Sequence, residues 1–157
     1  MSKKEAKTWQ QAKLLNAYYI KVAKAAVNQG GCPRFTSFRA GFAPQLEGPL
    51  DERGNPTVAD IPAGMQSVPN EFYRGIIEGH FSGDTALAVC EIPKNAAPSP
   101  VKFNFIGIFD QDDDMVAACV TLTDWLTPEE LDRSYLAVTF PIEEEAASSR
   151  ESSCGYF

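Results

Sequence analysis

The single histidine is the residue in this sequence whose type is best suited to acid–base chemistry. His80 lies within a strand pattern, and a hydrolase would need a nucleophile beside such a base. Neither a G-x-S-x-G turn nor a cysteine in a catalytic setting occurs near it. We therefore interpret His80 as an ordinary strand residue, predict no catalytic residue, and expect a protein that is not an enzyme.

Three alternating aspartates suggest a metal site at first sight. Asp110, Asp112 and Asp114 have the spacing of the first ligands of a calcium loop. The complete pattern fails, because Met115 stands where the loop needs glycine and Thr121 where it needs a bidentate glutamate. We predict a solvated hairpin turn here and no metal site.

The cysteines do not indicate a metal or redox site either. Cys32, Cys90, Cys119 and Cys154 are widely spaced, with no C-x-x-C pair. We interpret Cys90 and Cys119 as buried strand residues and Cys154 as the candidate for intermolecular pairing. The glycine-rich patterns that hold phosphates are also missing from the sequence, so we predict no cofactor.

Length and composition predict one soluble domain. The chain has 157 residues, of which 44% are hydrophobic, enough for one core. It contains neither the apolar run of about eighteen residues that a membrane span requires nor an apolar leader segment. We expect a domain over residues 1–142, followed by a flexible acidic and Ser-rich tail over residues 143–157.

Charge is distributed unevenly along the chain. Residues 1–24 hold six lysines and one glutamate, whereas residues 25–157 hold eight basic and twenty acidic residues. A basic end and an acidic body can attract each other between neighbouring subunits. Lysines on a helix face are commonly just solvated, so we predict neither nucleic acid nor a membrane as a partner.

Periodicity predicts one long helix followed by strands. Apolar residues recur at helical spacing over residues 6–28, ending at Gly30-Gly31. A strand over 34–42 precedes a Pro-rich loop over 43–70, and a capping box at Thr127 and Glu130 predicts a short helix over 128–133. Further strands are predicted over 72–81, 86–92, 101–109, 115–122 and 135–142. The expected fold is α+β, with a long N-terminal amphipathic helix packed on a mainly antiparallel sheet of five to six strands.

Two short segments resemble the N-terminal domain of the phage tail-collar fibre protein family. Residues 69–76 read PNEFYRGI, similar to the family's N-E-x-Y-R segment, and residues 105–110 read FIGIFD, similar to its I-G-[LI]-[FY]-D segment. The order of a helix, a strand and an acidic turn also fits, whereas the Pro-rich loop departs from the family. The matched residues are Asn70, Glu71, Tyr73, Arg74, Gly107, Phe109 and Asp110.

The resemblance implies a structural protein of a bacteriophage tail. It implies a homotrimer in the virion, assembled in the host cytoplasm, that joins a fibre or appendage to the baseplate, with other tail and baseplate proteins and fibre subunits as partners. Because fibre proteins continue into a shaft and this chain ends at Phe157, we expect an adaptor or a short fibre-anchor protein. Glu71 and Arg74 are expected to form an ion pair, and Gly107 to allow close backbone approach.

Two other functions stay open on the sequence alone. A module that binds carbohydrate or a host surface would use exposed aromatic rings such as Trp125 and Tyr73, and burial of those rings would count against it. A small cell-wall hydrolase would need two carboxylates, or one acid and His80, in one cleft. The leading hypothesis instead expects the loop over 43–70, the basic helix and the acidic tail to be contact surfaces.

Overall fold

The computed structural model describes residues 10–140, and this part of the chain is mostly β-structure. Its one α-helix, α1, spans Asn16–Ala26. The strands in chain order are β1 (Gln10–Gln11), β2 (Lys13–Leu14), β3 (Ser37–Gly41), β4 (Tyr73–Ile76), β5 (Glu78–Ser82), β6 (Thr85–Ile92), β7 (Val101–Phe109), β8 (Met115–Leu126) and β9 (Asp132–Thr139). The prediction of an α+β fold with a long helix on one sheet is therefore wrong.

The strands form two sheets instead of one. One sheet has the order β1-β9-β6-β5 and the other the order β2-β8-β7-β3-β4. All pairs are antiparallel except β1 with β9. Two chain segments pass from one sheet to the other. Residues 10–14 form β1 in the four-stranded sheet and then β2 in the five-stranded sheet, and residues 73–82 form β4 in the five-stranded sheet and then β5 in the four-stranded sheet. The pairing therefore continues around the molecule as in a flattened barrel, whose corners are strands that switch sheets.

The predicted helix over residues 6–28 is shortened because its first part pairs with strands. Gln10 lies opposite Leu136 and Lys13 opposite Ala118. The amide of Leu15, which is fully buried, donates to the carbonyl of Val116 at 2.9 Å. These contacts give the segment backbone hydrogen bonds and buried area that an isolated helix turn could not supply. Residues 6–9 of the predicted helix lie outside the described residues.

The helix also ends earlier than Gly30-Gly31. Asn28 has a φ of 62°, its amide donates to the Ala25 carbonyl, and the amide of Gln29 donates to the Lys24 carbonyl. These two bonds form a Schellman motif, with Asn28 in the left-handed position that glycine usually takes. Only Tyr18 in α1 is buried, so the helix covers the sheets with a narrow face.

Two other sequence predictions differ from the structure. The predicted strand over 72–81 is divided at Ile77 between the two sheets, because Gly75 pairs with Phe38 of β3 while Gly79 pairs with Ala88 of β6. The predicted helix over 128–133 is a turn that leads into β9. The Glu130 side chain does accept a hydrogen bond from the Thr127 amide, as in a capping box, but no helix follows.

The hydrophobic core lies on both faces of the five-stranded sheet. Ile106 and Ile108 of β7 point between the two sheets, whereas Phe105 and Phe109 point to the other face. The second half of this strand is therefore buried on both sides. The second face is covered by the Pro-rich loop, where Leu46 is 2% exposed.

The Pro-rich loop is therefore part of the core, in contrast to the expected contact surface. The buried Asn104 holds its start: the side chain accepts from the Ala43 amide at 2.8 Å and donates to the Ala43 carbonyl at 3.1 Å. This side chain satisfies both backbone groups of Ala43, as a neighbouring strand would. Ile61 and Val68, further along, pack into the same cluster.

Candidate interaction surface

Strand β5 is exposed along its whole length. It lies at the end of the four-stranded sheet, and all five of its residues are exposed. An edge strand presents backbone N–H and C=O groups that can pair with another strand. Charge, proline or a short length usually blunts such an edge, and β5 has only Glu78 and its shortness as protection.

Two large apolar side chains stand out on this edge. Ile76, at the end of β4, is 81% exposed, and Phe81 of β5 is 83% exposed. A phenylalanine this exposed forgoes the roughly 1.5–3 kcal/mol that burial of a large apolar side chain contributes. The combination of an unpaired strand and exposed apolar side chains is typical of a protein–protein contact.

A hollow lies beside Phe81 on the same face of the strand. Phe81 pairs with Ala86 and Gly79 with Ala88, so Gly79 and Phe81 share the face that continues into the core. No heavy atom lies within 4 Å of where a Cβ of Gly79 would be. Here a shallow cavity of about 290 Å³ has apolar walls that include Phe35 and Ile77. We call this cavity the β5 hollow.

The opposite face of β5 carries the only histidine. His80 Nε2 lies 2.7 Å from Glu78 Oε2, and both side chains are more than half exposed. Among the described residues, no hydroxyl or thiol forms a hydrogen bond with His80. The acid and the imidazole therefore meet on an exposed strand, without the hydrogen-bonded nucleophile that a hydrolase using His80 as its base would require.

The first matched segment lies along β4 and stabilises the fold locally. Glu71 and Arg74 form the expected ion pair on the surface. The Asn70 side chain donates to the Phe42 carbonyl at 2.9 Å, and the Tyr73 ring packs against Phe38 with centroids 5.9 Å apart. These contacts hold β4 against β3 and the end of the Pro-rich loop.

The second matched segment lies on β7, across β3 from the first. Arg39 of β3 lies opposite both Arg74 and Gly107, so the two segments flank one strand. A Cβ on Gly107 would lie 2.6 Å from Met115 Sδ, so close neighbours do approach this glycine, but they are side chains and not the backbone that we expected. Phe109 is buried under the Arg39 guanidinium, whose carbon lies 3.9 Å from the ring centroid.

The acidic turn after β7 is closed by a lysine of the helix. Asp110 has no exposure, and its carboxylate accepts hydrogen bonds from the amides of Asp112 and Asp114. Lys21 Nζ lies 2.6, 3.3 and 2.7 Å from oxygens of Asp110, Asp112 and Asp114. Partial burial by itself lowers the pKa of Lys21, but hydrogen bonds to these carboxylates outweigh it and raise the pKa.

The ammonium of Lys21 thus offsets part of the negative charge of the three aspartates. The turn is the hairpin that the sequence predicts, because the Asp110 amide donates to the Asp114 carbonyl at 3.0 Å. Within residues 10–140, no group of three or more His, Cys, Asp or Glu side chains is arranged to hold a metal ion. The chemistry of this turn is that of a structural ion pair network.

The two cysteines predicted for the core lie there. Cys90 and Cys119 are buried and carry free thiols. Burial raises the pKa of Cys90 to about 12 and that of Cys119 to about 11. Thiols that stay protonated at neutral pH are poor nucleophiles, so these residues act as core side chains. Cys154 lies outside the described residues.

The aromatic rings of the carbohydrate-binding hypothesis are divided between surface and core. Trp125 is 53% exposed, and Lys102 Nζ lies 5.7 Å from its ring centroid and 5.4 Å from that of Phe42. Tyr73 is half-buried against Phe38. Trp125, Phe42 and Lys102 line a shallow cavity of about 290 Å³, together with Asn70.

Sequence reasoning missed the exposed edge because it treated residues 72–81 as one core strand. One signal was present: Glu78, His80 and Ser82 alternate with Gly79 and Phe81, which leaves a single apolar side chain for the inner face. A strand with so little apolar area on either face does not belong in the middle of a sheet.

Helices long and apolar enough to cross a bilayer do not occur among residues 10–140. No protein family model, no curated protein and no solved structure matches this chain.

Proposed function

We propose that this protein is a non-catalytic assembly protein that contacts a neighbouring protein through strand β5. The observation that carries the proposal is the exposed edge itself, where Phe81 is 83% exposed beside unpaired backbone groups. Strand addition at a sheet edge is a common way in which proteins bind extended segments. The exposed His80–Glu78 pair on an open strand favours this role over hydrolysis.

The resemblance of residues 69–76 and 105–110 to the tail-collar fibre family supplies the context of the proposal. In that context the protein is a bacteriophage tail component that attaches a fibre or appendage to the baseplate, and it resides in the virion. Its partners are other tail and baseplate proteins, and further copies of itself. The fold departs from the long helix on one sheet that we expected, so the β5 edge, rather than the helix, is the surface that we assign to assembly.

Co-purification tests this function directly. The full chain is co-expressed with each tail protein encoded beside it, as wild type and as Phe81→Glu. We expect one neighbour to co-purify with the wild type and at least ten times less with Phe81→Glu, because a carboxylate on this edge opposes apolar contact. Leu50→Glu, changed at a side chain that is 67% exposed elsewhere, is the matched control and should behave like the wild type. Equal recovery with all three proteins would contradict the proposal.

The cluster of Trp125 and Lys102 supports a second candidate function, the binding of a saccharide. An exposed indole beside a cation and the Asn70 amide offers stacking and polar contacts to a sugar ring. Trp125→Ala should then abolish retention on a panel of immobilised glycans while leaving co-purification with tail proteins intact. If no glycan retains the wild-type protein, this candidate fails.

A further inference from the structure

We infer that β5 pairs with β5 of a second copy, antiparallel about a two-fold axis at His80. This inference rests on the proposed function, since it names a second copy as the partner at this edge. A tail protein then binds the paired form, so loss of the pair also lowers its co-purification. In such a pair, His80 of one copy lies opposite His80 of the other. Residues at equal distances before and after this position also face each other, so Phe81 of one copy lies opposite Gly79 of the other. The two copies then form one continuous eight-stranded sheet from their four-stranded sheets.

Shape complementarity argues for this register. Phe81 is a protruding ring, and the β5 hollow beside Gly79 is an apolar cavity on the same face of the strand, two residues away. The two-fold axis brings each ring to the other copy's hollow, and no atom lies near the missing Cβ of Gly79. An isologous interface requires such a self-complementary patch, in which one surface supplies both the knob and the hole. A ring packed over a strand glycine also shields its exposed backbone.

Charge complementarity supports the same register on the other face. Glu78 lies opposite Ser82 of the second copy, so no two carboxylates face each other directly. Each His80 lies diagonally next to the second copy's Glu78, within the roughly 7–8 Å at which cross-strand side chains still interact. Within one copy, Glu78 Oε2 already lies 2.7 Å from His80 Nε2. Each imidazole of the pair therefore has a carboxylate of its own copy and one of the second copy as neighbours. A register shifted by two residues would instead place Gly79 opposite Gly79 and each Phe81 opposite Ile77 of the other copy, a side chain that is already buried.

Cross-linking tests the register in the full chain. His80→Cys places two thiols opposite each other at the axis, where opposed Cβ atoms lie about 4.5–5.5 Å apart, close to the distance that a disulfide spans. With diamide as the oxidant, we expect most of the His80→Cys protein to become a covalent dimer. The yield of covalent dimer from Ser82→Cys and from the wild type should be less than a tenth of that. A Ser82→Cys yield equal to that of His80→Cys would overturn the register.

Light scattering of the full chain tests the contact itself. We expect twice the chain mass for the wild type and for Leu50→Glu, and a dimer dissociation constant raised at least tenfold in Phe81→Glu and in Gly79→Val. The Gly79→Val variant keeps the Phe81 ring, but its valine side chain fills the β5 hollow that the ring of the other copy would enter. A monomeric Gly79→Val protein would therefore identify the β5 hollow as the site that binds Phe81. Circular dichroism should show unchanged folding, because both residues are exposed. A mass three times that of one chain, as expected for the trimer that the family resemblance implies, would overturn the two-fold pair.

The two proposals fail separately in these experiments. If His80→Cys does not cross-link while Phe81→Glu still abolishes co-purification with a tail protein, the second copy is the wrong partner and the assembly function stands. If the cross-linked dimer forms but no tail protein co-purifies, the pairing stands and the tail function is wrong. Unchanged mass and unchanged co-purification in Phe81→Glu would overturn both.

Discussion

Lys21 Nζ lies 2.6 Å from Oδ2 of Asp110, a carboxylate with no solvent exposure at the base of the β7–β8 turn. This contact connects α1 to the five-stranded sheet, because the same ammonium also contacts the carboxylates of Asp112 and Asp114. Removal of one partner of such a pair leaves a buried charge without compensation, which costs more than the pair itself contributes.

We predict that Lys21→Met lowers the free energy of unfolding by about 3 kcal/mol. Lys24→Met is the matched control: Lys24 lies exposed on the same helix, and its loss should cost less than about 0.5 kcal/mol. Urea unfolding followed by circular dichroism measures both variants. Equal stability of the two would mean that the aspartates are adequately solvated without Lys21.

The same contact predicts a dependence of stability on alkaline pH. The pKa of Lys21 is raised in the folded state, so the folded protein holds this proton more tightly than the unfolded chain does. The contribution is fully present below the ordinary lysine pKa of about 10.4 and is lost as pH rises above it towards the folded-state value. Between pH 10 and 12, unfolding free energy should fall more steeply for the wild type than for Lys21→Met. Parallel curves would show that Lys21 does not carry this effect.

Gly107 allows close packing that no other residue permits. A Cβ there would lie 2.6 Å from Met115 Sδ and 2.8 Å from Val68 Cγ2. We predict that Gly107→Ala lowers stability by about 1–3 kcal/mol, the usual range for overpacking. Gly31→Ala, where no heavy atom lies within 4 Å, should change stability by less than about 0.5 kcal/mol. Thermal unfolding of both variants decides the point, and a Gly107→Ala midpoint equal to that of Gly31→Ala would refute it.

Two leucines of the Pro-rich loop test whether the loop belongs to the core. Leu46 is 2% exposed against the second face of the sheet, and Leu50 is 67% exposed. We predict a loss of about 2–4 kcal/mol for Leu46→Ala and less than about 0.5 kcal/mol for Leu50→Ala. Deletion of residues 46–64 should then unfold the domain. A folded deletion variant would return this loop to the role of a contact surface.

The sequence by itself determined the local elements that have strong patterns. The pattern over residues 101–109 identified β7 with its observed bounds. The aspartate run identified the hairpin, whereas the glycine in residues 105–110 makes room for side chains and not for the backbone that we expected there. In these segments the local preference and the tertiary contacts favour the same structure, so either one suffices to predict it.

Tertiary structure alone decided the conformation of the two segments that pair with strands of both sheets. Residues 10–15 have helical spacing, but the free edges of β8 and β9 offer that segment backbone hydrogen bonds and cover Leu15 completely. Residues 73–82 read as one strand, yet Ile77 divides them between two sheets and leaves Phe81 outside the core. Periodicity records only how apolar side chains are spaced along the chain. Which strand edge a segment joins depends on hydrogen-bond partners and buried area that distant residues provide. That choice placed these two segments across both sheets and left the β5 edge exposed.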